Sequence, residues 1–272
     1  MTTVSIAVIV LALLLGALPQ SAPQPSPALT SPPTLLAGQR HFYNGQYEDA
    51  VAIATRLTAD DPKDLAASEL LTSILHFQIK RAIGDAKDKD KALKQCAPCG
   101  EILKTFVAET RRAQAVAHAR LKSHPTEDET EFLLGKIDLN YVWLQLATLG
   151  KRTGWNEYRE ARRSVEAVLK RNPSHVRAQV ALAWIEYIVD TRVPFGFKWM
   201  LGGGDKKKAL AVMRKAAAAA SDPLDKTEAT FGLWEMLIRE KNLKEAADIA
   251  RTLLVDFPEN KELIKFVAKN VK

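Results

Sequence analysis

From residue 34 onward, apolar side chains recur at spacings of three and four, and strict apolar–polar alternation is hard to find, which predicts helices and no sheet. A second, longer period lies over the first. An Ala is followed twelve residues later by Pro in four places: Ala50 and Pro62, Ala113 and Pro125, Ala161 and Pro173, Ala246 and Pro258. Within these units the residues four and seven after the Ala are mostly apolar (Ala54, Leu57; Ala117; Val165, Val168; Ala250, Leu253), so each unit ends in an amphipathic helix stopped by its proline. A small Ala at a fixed place is what two closely packed helices of a hairpin need. Asn44-Gly45 ahead of Ala50 and Gly204-Asp205 ahead of Ala209 supply the turns between paired helices.

The pattern predicts a hairpin at 33–59, long helices at 64–82 and 99–122, a pair at 126–150 and 155–171, and further hairpins at 174–220 and 224–256. Thr126 to Glu129 reads as a capping box. The last stretch, Glu259 to Asn270, is amphipathic with a polar side, as a helix capping the end of a stack should be.

Gly38 to Pro62 (GQRHFYNGQYEDAVAIATRLTADDP) and Asn242 to Asn260 (NLKEAADIARTLLVDFPEN) carry the Gly, Ala and Pro positions of the tetratricopeptide repeat, and the chain resembles that family over most of residues 31–260. The spacing is irregular, since the successive alanines lie 63, 48, 48 and 37 residues apart against a family period near 34. Longer helices and insertions must absorb the difference. The resemblance implies an all-α, right-handed solenoid of helical hairpins with a C-terminal capping helix, spanning residues 34–272. It also implies a concave groove lined by the first helix of each hairpin, where a protein or peptide partner is held. Gln39, Tyr43, Lys136, Asn140, Glu235 and Arg239 are its candidate contacts, with solvated helix surface as the alternative for each.

The first residues differ in character. Residues 4–18 are an uncharged apolar run of 15, shorter than a spanning helix normally needs, and six prolines crowd between Pro19 and Pro33. Residues 1–22 are expected to be a signal peptide or a signal anchor and 23–33 a proline-rich linker, which places the folded part in a bacterial periplasm or at a membrane facing it. Retained, residues 4–18 would be a membrane tether. The formal charge of +7 lies entirely at or after Arg40, with basic residues scattered among acidic ones, and no basic stripe interleaved with aromatics marks a nucleic-acid surface.

Two local signals stand out. Cys96-Ala97-Pro98-Cys99 has the spacing of a thiol pair ahead of a helix, read either as a structural disulfide or as an exchange-active pair without its usual strand–helix–strand context. Metal ligation needs more ligands than the pair supplies, and Gly100 stands where haem attachment needs His. The segment from Val193 to Asp205 is longer than a turn requires. Its Phe195, Phe197 and Trp199, with Met200, are expected either to fold back and seal a gap or to contact a partner or a small or lipidic ligand. Gly202 to Gly204 before Lys206, Lys207 and Lys208 reads as a turn with Asp205 capping the next helix, the alternative being an anion site. No hydrolase, zinc-protease, dinucleotide or phosphate-loop motif is present, and no enzyme activity, cofactor or metal is expected.

Overall fold

The computed structural model describes residues 34–270. The segments expected as signal region (1–22) and linker (23–33) lie outside the described residues. The described part is all-α. Five hairpins follow one another: α1 (Leu35–Tyr43) with α2 (Tyr47–Asp60), α3 (Leu65–Ile83) with α5 (Cys99–Ser123), α6 (Asp128–Val142) with α7 (Trp155–Arg171), α8 (Val176–Arg192) with α9 (Lys206–Ala219), and α10 (Pro223–Arg239) with α11 (Leu243–Asp256). A short α4 (Lys89–Gln95) interrupts the second hairpin, and α12 (Lys261–Asn270) packs on α11.

Each hairpin forms for the reason its sequence gives. Ala50, Ala113, Ala161, Ala209 and Ala246 are all fully buried, so the recurring small residue sits where second helices meet their neighbours. Gly45 takes a φ of 74° at the first turn, a conformation that costs any side chain with a Cβ. Asp64, Asp88, Asp205 and Asp222 cap the helices that follow them by accepting backbone N–H bonds. The capping box expected at Thr126 does not form. The chain turns through Pro125, with Glu127 N–H donating to the His124 carbonyl at 3.2 Å, so Glu127 becomes the residue before α6 and offers no side-chain cap. Arg171 at the end of α7 instead pairs with Asp128 and Glu131 in the first turn of α6.

The irregular spacing has visible causes. The longest interval holds α4 and the extended α3 and α5; the third hairpin carries a π-helical turn (Trp143–Thr148) and a loop; the fourth carries the Val193 to Asp205 insertion, with a 3-10 turn at Phe195–Leu201. Neighbouring hairpins share a core, which runs from Tyr47 and Leu70 through Phe106, Phe132 and Ile185 to Met213 and Met236.

Candidate functional site

The first helices of the hairpins face one another, and the groove between them is filled at one end. Glu69 on α3, Lys136 on α6, Arg177 on α8 and Glu228 on α10 form a four-centre ion cluster. Lys136 Nζ lies 2.5 Å from Glu228 and 3.8 Å from Glu69, while Arg177 lies 2.8 Å from Glu228 and 3.5 Å from Glu69. Two acids and two bases cancel. Burial alone would push the Glu228 carboxyl up, but Lys136 and Arg177 overcome it and hold the group down at about 2. Burial likewise works against the Arg177 cation, and the two carboxylates outweigh it, so its proton is held more tightly than in water. Tyr43, at the end of α1, is pushed well above its ordinary value by burial and then by Glu228 and Glu69.

The first and last hairpins of the described residues also meet. The Tyr43 ring stacks on Phe231 at 4.9 Å and leans on Phe257 at 5.6 Å. Asn260 donates its side-chain amide to the Tyr43 carbonyl at 2.7 Å, and Gln46 donates to Glu259. Helix α1 therefore touches α10 and the α11–α12 corner, and the stack curls until its first hairpin meets its last.

Several residues expected to contact a partner are thus engaged within the chain. Gln39 is buried on α1. Tyr43 belongs to the seam and Lys136 to the ion cluster. Asn140 donates to the Thr72 and Ser73 hydroxyls at 3.0 Å each and to the Glu69 carbonyl at 3.3 Å. Sequence reasoning missed Glu69, Arg177 and Glu228, because each sits alone among ordinary helix charges and only the curl brings them together. Further along the same face, Glu235 and Arg239 pair one helical turn apart and remain about one-third exposed. Arg239 lies over the Trp184 ring of α8 at 5.7 Å.

Cys96 and Cys99 are joined in a disulfide whose Cα atoms are 5.3 Å apart. It ties the end of α4 to the first turn of α5, with Cys99 fully buried.

The Val193 to Asp205 insertion is anchored at its base and open at its tip. Tyr158 donates to the Leu201 carbonyl at 2.8 Å, and Arg162 donates to the Leu201, Gly202 and Gly203 carbonyls. Lys198 pairs with Asp190, which also accepts from the Lys206 N–H at 3.2 Å. A Cβ at Gly204 would come within 2.6 Å of the α8 backbone at Glu186 and Asp190, so the glycine run permits a close approach. The anion reading of this run gains nothing: Asp205 caps α9, Lys206 pairs with Glu240 and Lys208 with Glu186. Phe195 opens the 3-10 turn. The expected fold-back of the aromatics does not occur at Phe197, Trp199 and Met200, which stay 60%, 75% and 52% exposed. The anchoring carbonyls of Leu201, Gly202 and Gly203 hold only the base of the segment, and the tip stands away from the hairpin. Behind the segment lies an apolar pocket of about 250 Å³ between the π-helical turn, the start of α7 and the end of α8. Among the described residues no cluster of metal ligands occurs, and no helix is long and apolar enough to cross a membrane.

No curated protein matches the chain. A solved structure of a thermophilic tetratricopeptide repeat protein of Thermus thermophilus is similar, with 15% identity over 87% of this chain and 96% of that one and a TM-score of 0.49. The tetratricopeptide repeat family model matches residues 35–83, which span α1 to α3, and 156–188, which span α7 and most of α8. The family resemblance read from Gly38 to Pro62 is supported by this match over those two stretches.

Proposed function

We propose that the chain is a non-catalytic scaffold, exported to the bacterial cell envelope, that holds a protein partner along the inner face of its helical stack. One observation carries the reading: the inner face is divided. Its Glu69–Arg177 end is neutralised and filled, whereas Trp184, Glu235 and Arg239 at the other end remain half-exposed on facing first helices. An aromatic ring beside an Arg is the composition of a binding anchor. Export is supported by the apolar run at 4–18 and by the Cys96–Cys99 disulfide, a bond that persists in oxidising compartments. A photo-crosslinking side chain placed at Glu235 or Arg239 in the native envelope is expected to capture a discrete protein, and one at exposed Lys215 on α9 is not. Equal labelling at all three positions, or none at the inner pair, would overturn the reading.

The disulfide supports a second, thiol-exchange reading less well, since Cys99 is buried under α3 and α5 residues and a client thiolate reaches only half-buried Cys96. A reduction potential near that of the glutathione pool would favour exchange, and a far more reducing one the structural role.

A further inference from the structure

We propose that the 194–201 segment and the pocket behind it form a membrane contact, in which Phe197, Trp199 and Met200 enter the interface of an anionic bilayer and one acyl chain occupies the pocket. The site is separate from the inner face and stands without the partner reading.

Four observations converge. First, the exposed apolar side chains are contiguous with the pocket: the 3-10 turn is bracketed by Val193 and Leu201, both in the pocket wall, and Leu146 and Trp155 of the same wall are themselves 46% and 47% exposed. Aromatic and Met side chains held at the tip of an anchored turn are the means by which a folded protein sits at a lipid interface.

Second, the pocket suits a chain without polar groups. Its wall is hydrocarbon and aromatic apart from Arg152 and Thr153 at the loop. The carbonyls of Leu201, Gly202 and Gly203 are already occupied by Tyr158 and Arg162. A peptide strand entering here would bury its own amides without partners, which is costly, whereas an acyl chain has none to lose.

Third, the rim is cationic. Lys151 and Arg152 in the loop before α7, and Arg192 at the end of α8, are exposed and enter no ion pair among the described residues. Of the acids nearby, Asp190 is committed to Lys198 and Glu157 is half-buried on α7. Three free cations around an apolar patch complement lipid phosphates, and they repel the same patch on a second copy.

Fourth, the apolar run at 4–18, if it is the signal peptide or anchor that the sequence reading expects, would direct the chain to a membrane during export or hold it there.

The test uses the full chain and vesicles of phosphatidylcholine, with or without one-quarter phosphatidylglycerol, carrying brominated acyl chains that quench nearby tryptophan. Residues 1–33 contain no Trp, so quenching reports the folded part however the chain is held. The anionic vesicles are expected to quench Trp emission strongly, and Trp199→Phe to lose a large part of that quenching. The double variant Phe197→Ser/Trp199→Ser, whose side chains are exposed and whose helical content should be unchanged by circular dichroism, is expected to lower partitioning roughly tenfold, the equivalent of 1.4 kcal/mol. Lys151→Glu/Arg152→Glu/Arg192→Glu should remove the preference for anionic vesicles. Unchanged quenching in Trp199→Phe, or equal quenching by both vesicle types, overturns the proposal. So does a concentration-dependent dimer that the double variant disperses, or capture of a protein at position 199 that lipid does not displace. None of these results bears on crosslinking at Glu235 and Arg239.

Discussion

At the residue scale, the informative groups are those whose charge is out of place. Glu228 is buried yet ionised because Lys136 and Arg177 flank it. Removing one partner of such a cluster strands the others, and Glu228→Ala is expected to destabilise the fold by about 3 kcal/mol, read as a lowered urea midpoint. Its carboxyl is held below its unfolded value, so the stability it brings is complete above the ordinary carboxylate range and is lost as pH falls toward about 2. Asp138 is the opposite case. Burial, its largest influence, raises its carboxyl to about 8; Gln114, donating at 2.7 Å to one oxygen, opposes the rise, and the neighbouring Glu160 and Glu157 add to it. Between the unfolded value near 4 and about 8, the native state keeps a proton that the unfolded chain gives up, so stability falls as pH rises through that window. Asp138→Asn cannot ionise and is expected to raise Tm at pH 8 while matching the parent at pH 4. A thermal melt at the two pH values checks both the sign and the group. Sequence reasoning could not pick out either residue, since a buried acid and a solvated one look alike until the helix face is known. His76 escapes notice in the sequence for the same reason; burial pushes its imidazole down to about 3, where it bonds the Thr148 hydroxyl as a neutral ring.

At the element scale, legibility follows the physics of each signal. The helix predicted at 155–171 is observed with those bounds, because Gly154 opens it with a φ of 92° and Pro173 closes it. The predicted 64–82 and 99–122 shift by one residue at one or both ends. These expectations rest on local chemistry, caps and breakers, that tertiary contacts do not overrule. The helix predicted to run from 126 to 150 instead passes into a π-helical turn at Trp143–Thr148, which no sequence period marks. The short α4 has no buried residue of its own. It is held by Asp88 at its start and by the disulfide at its end. The closed loop is so short that chain entropy gives the bond only about 2 kcal/mol. Cys96→Ser/Cys99→Ser is therefore expected to leave the circular dichroism of the array unchanged and to lower stability by no more than that, with amide exchange quickening in residues 89–95 and not in α5. Loss of protection throughout α5 would show that the bond holds more than α4.

At the scale of the whole molecule, the sequence implied an open groove and the structure fills one end of it. Successive hairpins do stack in chain order, as the Ala and Pro spacing implied, but the curl of the stack is the sum of many small rotations that no local pattern encodes. Its consequence is a seam between the first hairpin and the last, made by the Tyr43 ring on Phe231 and Phe257 and by Asn260 and Glu259 on the end of α1. In a one-dimensional array each repeat answers only to its neighbours, so the terminal hairpin ordinarily frays first. Here the first hairpin has two neighbours, α3 on one side and the α10–α12 corner on the other. Tyr43→Ala removes the ring and, by the cost of truncating a packed aromatic, should weaken the seam by about 3 kcal/mol. Because the hairpin keeps its contact with α3, the expected result is opening rather than unfolding. Spin labels on Asp49→Cys and Lys261→Cys should give one narrow distance distribution in the parent and a broad, longer one in the Tyr43→Ala background, with helical content unchanged. The Glu235–Arg239 surface, standing beyond the neutralised ion cluster, should then gain access, and crosslinking from Arg239 should rise in the same background. A narrow distribution that survives the substitution would mean that the ion cluster alone sets the curl, and Glu228→Ala would then be the variant that opens it.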